Sequence, residues 1–150
     1  MDAVTYPDKK VVEFINRSLI PLRVKSDSIP LSKEFNVTWT PTLITLDEDG
    51  KEHYRTVGFL SPPELISSLL LGMAKIYFDA GQFEACLAKL EEIISRYPKS
   101  KAAPEAIFLR GVSGYKNTHD PKPLKEAYSK LQSEYPGSEW ADRAQPYRLL

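Results

Sequence analysis

The sequence predicts an α/β segment followed by an all-α segment, on three observations. Short β-branched runs flank an Asp-Gly turn in the first third of the chain. From Ser61 onward, apolar residues recur at helical spacing to the C-terminus. Within that helical part, one stretch repeats another after 38 residues. Composition agrees with folded domains throughout: of 150 residues, 42% are hydrophobic and 27% charged, which excludes wholesale disorder.

Taken in order, Pro7-Asp8 opens a helical pattern that places Val11, Val12, Phe14 and Ile15 on one side, ends near Arg17, and has Asp8 as N-cap. Leu19–Val24 reads as a strand, Asp27 to Pro30 as a break, and Leu31–Phe35 as a short helical turn. Thr42–Leu46 is a compact strand run, and Glu52–Val57 alternates as the returning strand. Between them, Gly50 ends an acidic turn, because glycine takes positive φ without steric cost. Ser61-Pro62-Pro63-Glu64 starts a helix with Ser as N-cap, Pro at the first position and Glu where a capping box needs it. Helices are expected over Pro62–Asp79, Phe83–Arg96, Lys101–Lys116, Leu124–Glu134 and Glu139–Leu149, with Pro98, Pro121, Pro123 and Pro136 between them.

The repeat is carried by Tyr97-Pro98-Lys99-Ser100 and Tyr135-Pro136-Gly137-Ser138. At the same offset Leu90 matches Tyr128, Ile93 matches Leu131, Ala103 matches Ala141 and Ala106 matches Ala144. Such a period marks stacked helix pairs. Leu70, Met73, Ala74, Tyr77, Gly81, Phe83, Cys86, Leu90, Ile93 and Pro98 fall on a spacing that resembles the tetratricopeptide repeat. Small residues then sit where helices cross, aromatics fill gaps, Gly turns the chain and Pro ends the unit.

Phe35-Asn36-Val37-Thr38-Trp39-Thr40-Pro41-Thr42-Leu43, the Asp-Gly hairpin and Val57-Gly58-Phe59 resemble the C-terminal portion of a thioredoxin fold. The resemblance puts Thr40-Pro41 at that family's cis-proline position. It implies a truncated thioredoxin-like domain over residues 1–79 and tetratricopeptide-like repeats over residues 62–150, with helix 62–79 shared. The sheet would then cap a short array, which otherwise needs about three units for stability. One departure matters more than the match. The family's redox chemistry needs a Cys-x-x-Cys pair, whereas Cys86 is the single cysteine of this chain. The family's preceding strand is also absent, so the strands expected at Leu19–Val24 and Thr42–Leu46 would pair directly, accept a strand from another chain, or leave open edges, a route to association.

Several function classes fall away on composition and motif. Lys plus Arg equals Asp plus Glu at 20 each, so no concentrated positive charge points to nucleic acid or an anionic membrane. The longest apolar stretch, Leu65–Phe78, is interrupted by Ser67, Ser68 and Lys75 and is too short to span a bilayer. With no secretory start at Met1-Asp2-Ala3-Val4, a cytoplasmic location is expected. Cys86 occupies a small-residue packing position and reads as structural. His53 and His119 have no ligand at metal spacing, and Asp47-Glu48-Asp49 reads as a solvated hairpin tip. Glu91-Glu92 reads as a solvated face. No nucleophilic triad or phosphate-binding glycine loop is present, and no cofactor is expected.

Candidate partner-binding residues are therefore Trp39, Thr40 and Pro41 in the proline loop, where the resemblance implies backbone pairing with an extended polypeptide. On the repeats, Ala106, Leu109, Ser113, Lys116 and Asn117 are expected to face the groove, with Lys116 and Asn117 able to meet a carboxylate or peptide backbone. The leading expectation is a non-catalytic adaptor that binds a protein or peptide, with a homo-oligomer as a further partner reading. The alternative is a thiol–disulfide oxidoreductase whose Cys-x-x-Cys lies upstream of Met1.

Overall fold

The computed structural model describes residues 1–150. Helix α1 (Lys9–Ser18) starts at Asp8, whose Oδ1 accepts the backbone N–H groups of Lys10 and Val11 at 2.9 and 3.2 Å. That satisfies two of the donors a helix start leaves free. It buries Val11 and Phe14. A single turn, α2 (Leu31–Glu34), follows. Strands β1 (Thr42–Leu46) and β2 (Glu52–Val57) form an antiparallel hairpin with Thr42 opposite Val57 and a bulge between Thr45 and Leu46. Asp47 shapes its turn by accepting the N–H groups of Asp49 and Lys51, and Gly50 takes φ +80°.

Leu19–Val24, expected as a strand, forms no regular element and joins no sheet. A strand exists through its neighbour's hydrogen bonds, and the sheet has two members only. Leu19 still packs partly against the core, but Ile20 and Leu22 face solvent, 98% and 81% exposed.

Helix α3 (Pro62–Asp79) is the centre of the molecule, packing against α1, both strands, α4 (Phe83–Arg96) and α5 (Ala102–Thr118). Contacts on so many sides explain why Leu65, Ile66, Leu70, Leu71 and Ala74 are all buried along it. Gly72 allows β1 to approach: a Cβ there would lie 2.8 Å from the Thr45 Cβ. The expected capping box is not formed. Ser61 makes no side-chain cap, and the Glu64 carboxylate instead accepts the Lys101 N–H at 3.1 and 3.2 Å. Glu64 thus caps the entry to a different helix.

Beyond α3 the chain stacks helix on neighbouring helix through α4, α5 and α6 (Lys122–Glu134). At the α5–α6 crossing, a Cβ on Gly111 would lie 2.6 Å from the Ala127 Cβ. Pro123, expected between helices, sits in the first turn of α6, where its missing N–H costs nothing. The last helix, expected to run unbroken to Leu149, ends as α7 (Glu139–Arg143) and continues as a 3-10 turn over Gln145–Leu149. Pro146 explains the change, since it removes a helical donor and crowds the preceding turn. One apolar core runs continuously from Val11 and Phe14 to Ala141 and Ala144.

Candidate functional site

The proline loop lies between α2 and β1. Asn36 takes φ +53° at its start, and both Ile29–Pro30 and Thr40–Pro41 are cis. Its far end is tied to the hairpin: the Gly58 N–H donates to the Pro41 carbonyl at 2.8 Å, and the Thr42 hydroxyl donates to the Trp39 carbonyl at 2.6 Å. Arg55 on β2 donates to the Phe35 carbonyl at 2.7 Å while paired with Glu52. The loop is therefore held at both ends by β2 and its continuation. Trp39 projects from this frame 68% exposed, and Val57 and Phe59 from the adjoining strand end are 54% and 62% exposed. An aromatic and aliphatic surface results, beside backbone that is fixed in place.

Because Pro41 bonds to Gly58, alternation along an antiparallel pair turns Leu43 and Thr45 toward β2. Thr42 and Ile44 then direct their backbone groups to the other edge, where the sheet has no further strand. An unpaired edge of this kind can receive an extended chain.

Helix α5 does not present all the residues expected at the groove. Ser113 is fully buried, with its Oγ 3.4 Å from the Cys86 Sγ, and Ala106 is fully buried as well. Positions 106 and 113 are seven apart, so they share a helix face with Ala103 and Ile107, and that face packs inward. Leu109 is partly buried against the core. Lys116 and Asn117 are exposed one turn further along, and the Lys116 Nζ lies 5.8 Å from the Phe78 ring centre. Cys86 is buried, and that burial pushes its thiol above the ordinary range, against the opposing effect of the Ser113 hydrogen bond. A thiolate is disfavoured there.

Where the sheet meets the helices, two polar assemblies appear that the sequence did not announce. Lys75 lies 4.3 Å above the Tyr54 ring centre and pairs with Glu105, joining β2, α3 and α5. Burial, with the nearby Glu105 charge, pushes the Tyr54 hydroxyl up to about 12. In the second assembly His53 stands between Asp47 and Asp79. Asp47 and His53 flank the turn closely enough for sequence to have suggested that half of it. Asp79 lies 26 residues away and arrives only through packing of the hairpin on α3. No group of His, Cys, Asp and Glu side chains is arranged to hold a metal ion. No helix is long and apolar enough to cross a membrane.

The fold and loop thus define a two-part chain, an α/β unit with a cis-proline loop leading into helix pairs. Residues 3–72 match the family model of a thioredoxin-like domain, and residues 68–100 match that of a tetratricopeptide repeat. The chain accordingly carries a thioredoxin-like domain followed by a tetratricopeptide helical region, and the two matches overlap within α3. No curated protein and no solved structure matches it. Tetratricopeptide repeats generally mediate protein–protein interaction.

Proposed function

We propose that the protein is a non-catalytic thioredoxin-like and tetratricopeptide adaptor that binds an extended segment of a protein partner. In this reading the thioredoxin-like domain spans residues 1–79, the repeats span residues 62–150, and α3 belongs to both. The observation that carries it is the exposed Trp39, Val57 and Phe59 surface beside a tied proline loop and an open β1 edge. Aromatic side chains offer large contact area at low entropic cost, which makes Trp39 the anchor. Thr40 and Pro41 present the adjoining backbone, and the exposed Lys116 and Asn117 on α5 supply polar contacts further along the molecule. Disulfide exchange by the usual two-step route needs a second thiol to resolve the mixed disulfide, and the single, buried Cys86 has none.

An immobilised array of overlapping peptides, probed with the full chain, tests the binding claim. Extended apolar peptides are expected to retain the wild-type chain, and Trp39→Ala is expected to lose at least about tenfold in affinity, as for a buried aromatic anchor. Equal retention of the two chains would remove Trp39 from the site. Insulin reduction tests the catalytic half: turnover above that of a Cys86→Ser variant would overturn the non-catalytic reading.

A further inference from the structure

A histidine held by two carboxylates joins three parts of the chain. Asp47 opens the hairpin turn, His53 lies on β2, and Asp79 is the last residue of α3. The His53 side chain is 4% exposed; its Nε2 lies 2.7 Å from Asp47 Oδ2 and its Nδ1 lies 2.6 Å from Asp79 Oδ2. These are lengths of charge-assisted hydrogen bonds. An ionised carboxylate only accepts, so both ring nitrogens must donate, and the imidazolium alone carries two N–H groups. We propose that Asp47, His53 and Asp79 form a proton-operated latch, closed with the imidazolium and opened when one ring proton leaves, that fastens the hairpin tip to the end of α3.

The geometry also tells which contact opens. Loss of one proton to solvent leaves a ring nitrogen lone pair facing a carboxylate oxygen, and two negative charges stand where one was balanced. Asp47 is held independently, because its Oδ1 accepts the N–H groups of Asp49 and Lys51 at 3.1 and 2.9 Å. Asp79 has no other side-chain hydrogen bond and is 47% exposed, against 22% for Asp47. The Asp79 contact therefore yields, and the hairpin tip separates from α3.

Charged groups around the imidazole favour the closed form. Asp47 faces it from the turn and Asp79 from α3, and neither makes an ion pair with any other residue. Glu48 and Asp49 add negative charge in the turn, while Lys51 contributes its backbone N–H to Asp47. Lys75, one turn before Asp79 on α3, is engaged by Glu105 and the Tyr54 ring. The Asp47 hydrogen bond, and then that of Asp79, hold His53 above its ordinary 6.5 despite the opposing effect of burial. The His53 bond likewise holds Asp47 below its ordinary 3.8. A raised histidine stabilises fully below its unfolded value of 6.5 and loses that contribution as pH rises through the folded value. A lowered carboxylate stabilises above 3.8 and loses its contribution as pH falls through the folded value. The latch is thus shut in mildly acidic to neutral solution and opens toward alkaline pH.

An NMR titration of the full chain tests this, following the His53 ring C–H signals with the backbone amides of Lys51 and Ala80. In the wild type the ring midpoint is expected above 6.5, with both amides moving on the same transition. Asp79→Asn, at a half-exposed position, is expected to lower the midpoint and to abolish the Ala80 response while Lys51 still follows. His53→Gln identifies the ring signals and removes the transition from both amides. A wild-type midpoint at or below 6.5 would overturn the latch. So would an Asp79→Asn chain with the wild-type midpoint and an Ala80 amide that still responds.

Discussion

The segment before α3 and the helical array after it have similar residues available but bury them very differently. From α3 onward Leu65, Leu70, Leu71, Leu90, Ile93, Ile107 and Leu131 are all fully buried. Before it Val11 and Thr5 are the fully buried side chains, while Ile20, Leu22, Ile29, Trp39 and Phe59 are each more than half exposed. The difference lies in where each element finds its neighbour. A helix in the array packs on the helix next to it in sequence, α3 on α4, α4 on α5 and α5 on α6. In the sheet, β1 and β2 pair with each other across their turn, but Leu19–Val24 finds no strand to join. The helices of the array thus cover one another in turn, whereas the sheet ends at β1 and β2 with no further strand.

The largest expected effect contrasts the two regions directly. Leu90→Ala should cost about 2–5 kcal/mol in urea unfolding, because it empties a fully buried site between stacked helices. Leu22→Ala should stay within about 0.5 kcal/mol, its side chain being 81% exposed. Comparable losses from the two would mean that Leu19–Val24 is packed in solution and that the contrast is false.

Gly111→Ala sharpens the comparison within the array. The added Cβ would meet the Ala127 Cβ at 2.6 Å and the Pro123 carbonyl at 3.0 Å, and both belong to α6, where Ala127 is fully buried. Overpacking of this kind costs about 1–3 kcal/mol. Gly137→Ala provides the matched control, since a Cβ there meets nothing within 4 Å. A shift in the denaturant midpoint confined to Gly111→Ala is the expected result.

How much of this was legible follows the same division. Helix bounds such as Pro62–Asp79 and Phe83–Arg96 could be read residue by residue, because proline, glycine and apolar spacing act locally. The Thr42–Leu46 and Glu52–Val57 hairpin was legible for the same reason, its turn being written in Asp47 and Gly50. Leu19–Val24 was misread because β propensity describes fit to a sheet, and the sheet offers it no neighbour. Ser113 was misplaced because helical spacing groups residues by face without saying which face packs inward. Asp79 could not be joined to His53 in advance, since their meeting depends on how β2 settles on α3. In the proline loop, the exposure of Trp39 likewise required the fold.

The smallest effect separates two identical motifs. Both repeat units end in Tyr-Pro-x-Ser, yet the serines do different work. Ser138 accepts the Ala141 N–H at 3.1 Å and caps its own helix. The Ser100 Oγ is buried with no hydrogen-bond partner, and the α5 entry is capped by Glu64, 37 residues earlier on α3. The first unit borrows its cap from the helix that also packs against the sheet, so the junction stabilises the array at this point. Ser138→Ala and Glu64→Ala should each cost about 1 kcal/mol in equilibrium unfolding, as loss of a cap does. Ser100→Ala should be neutral or stabilise by up to about 1 kcal/mol, since it removes a buried hydroxyl that bonds to nothing. If Ser100→Ala instead cost as much as Ser138→Ala, the two endings would be capped alike. The carboxylate of Glu64 would then be a bystander at the α5 entry rather than its cap.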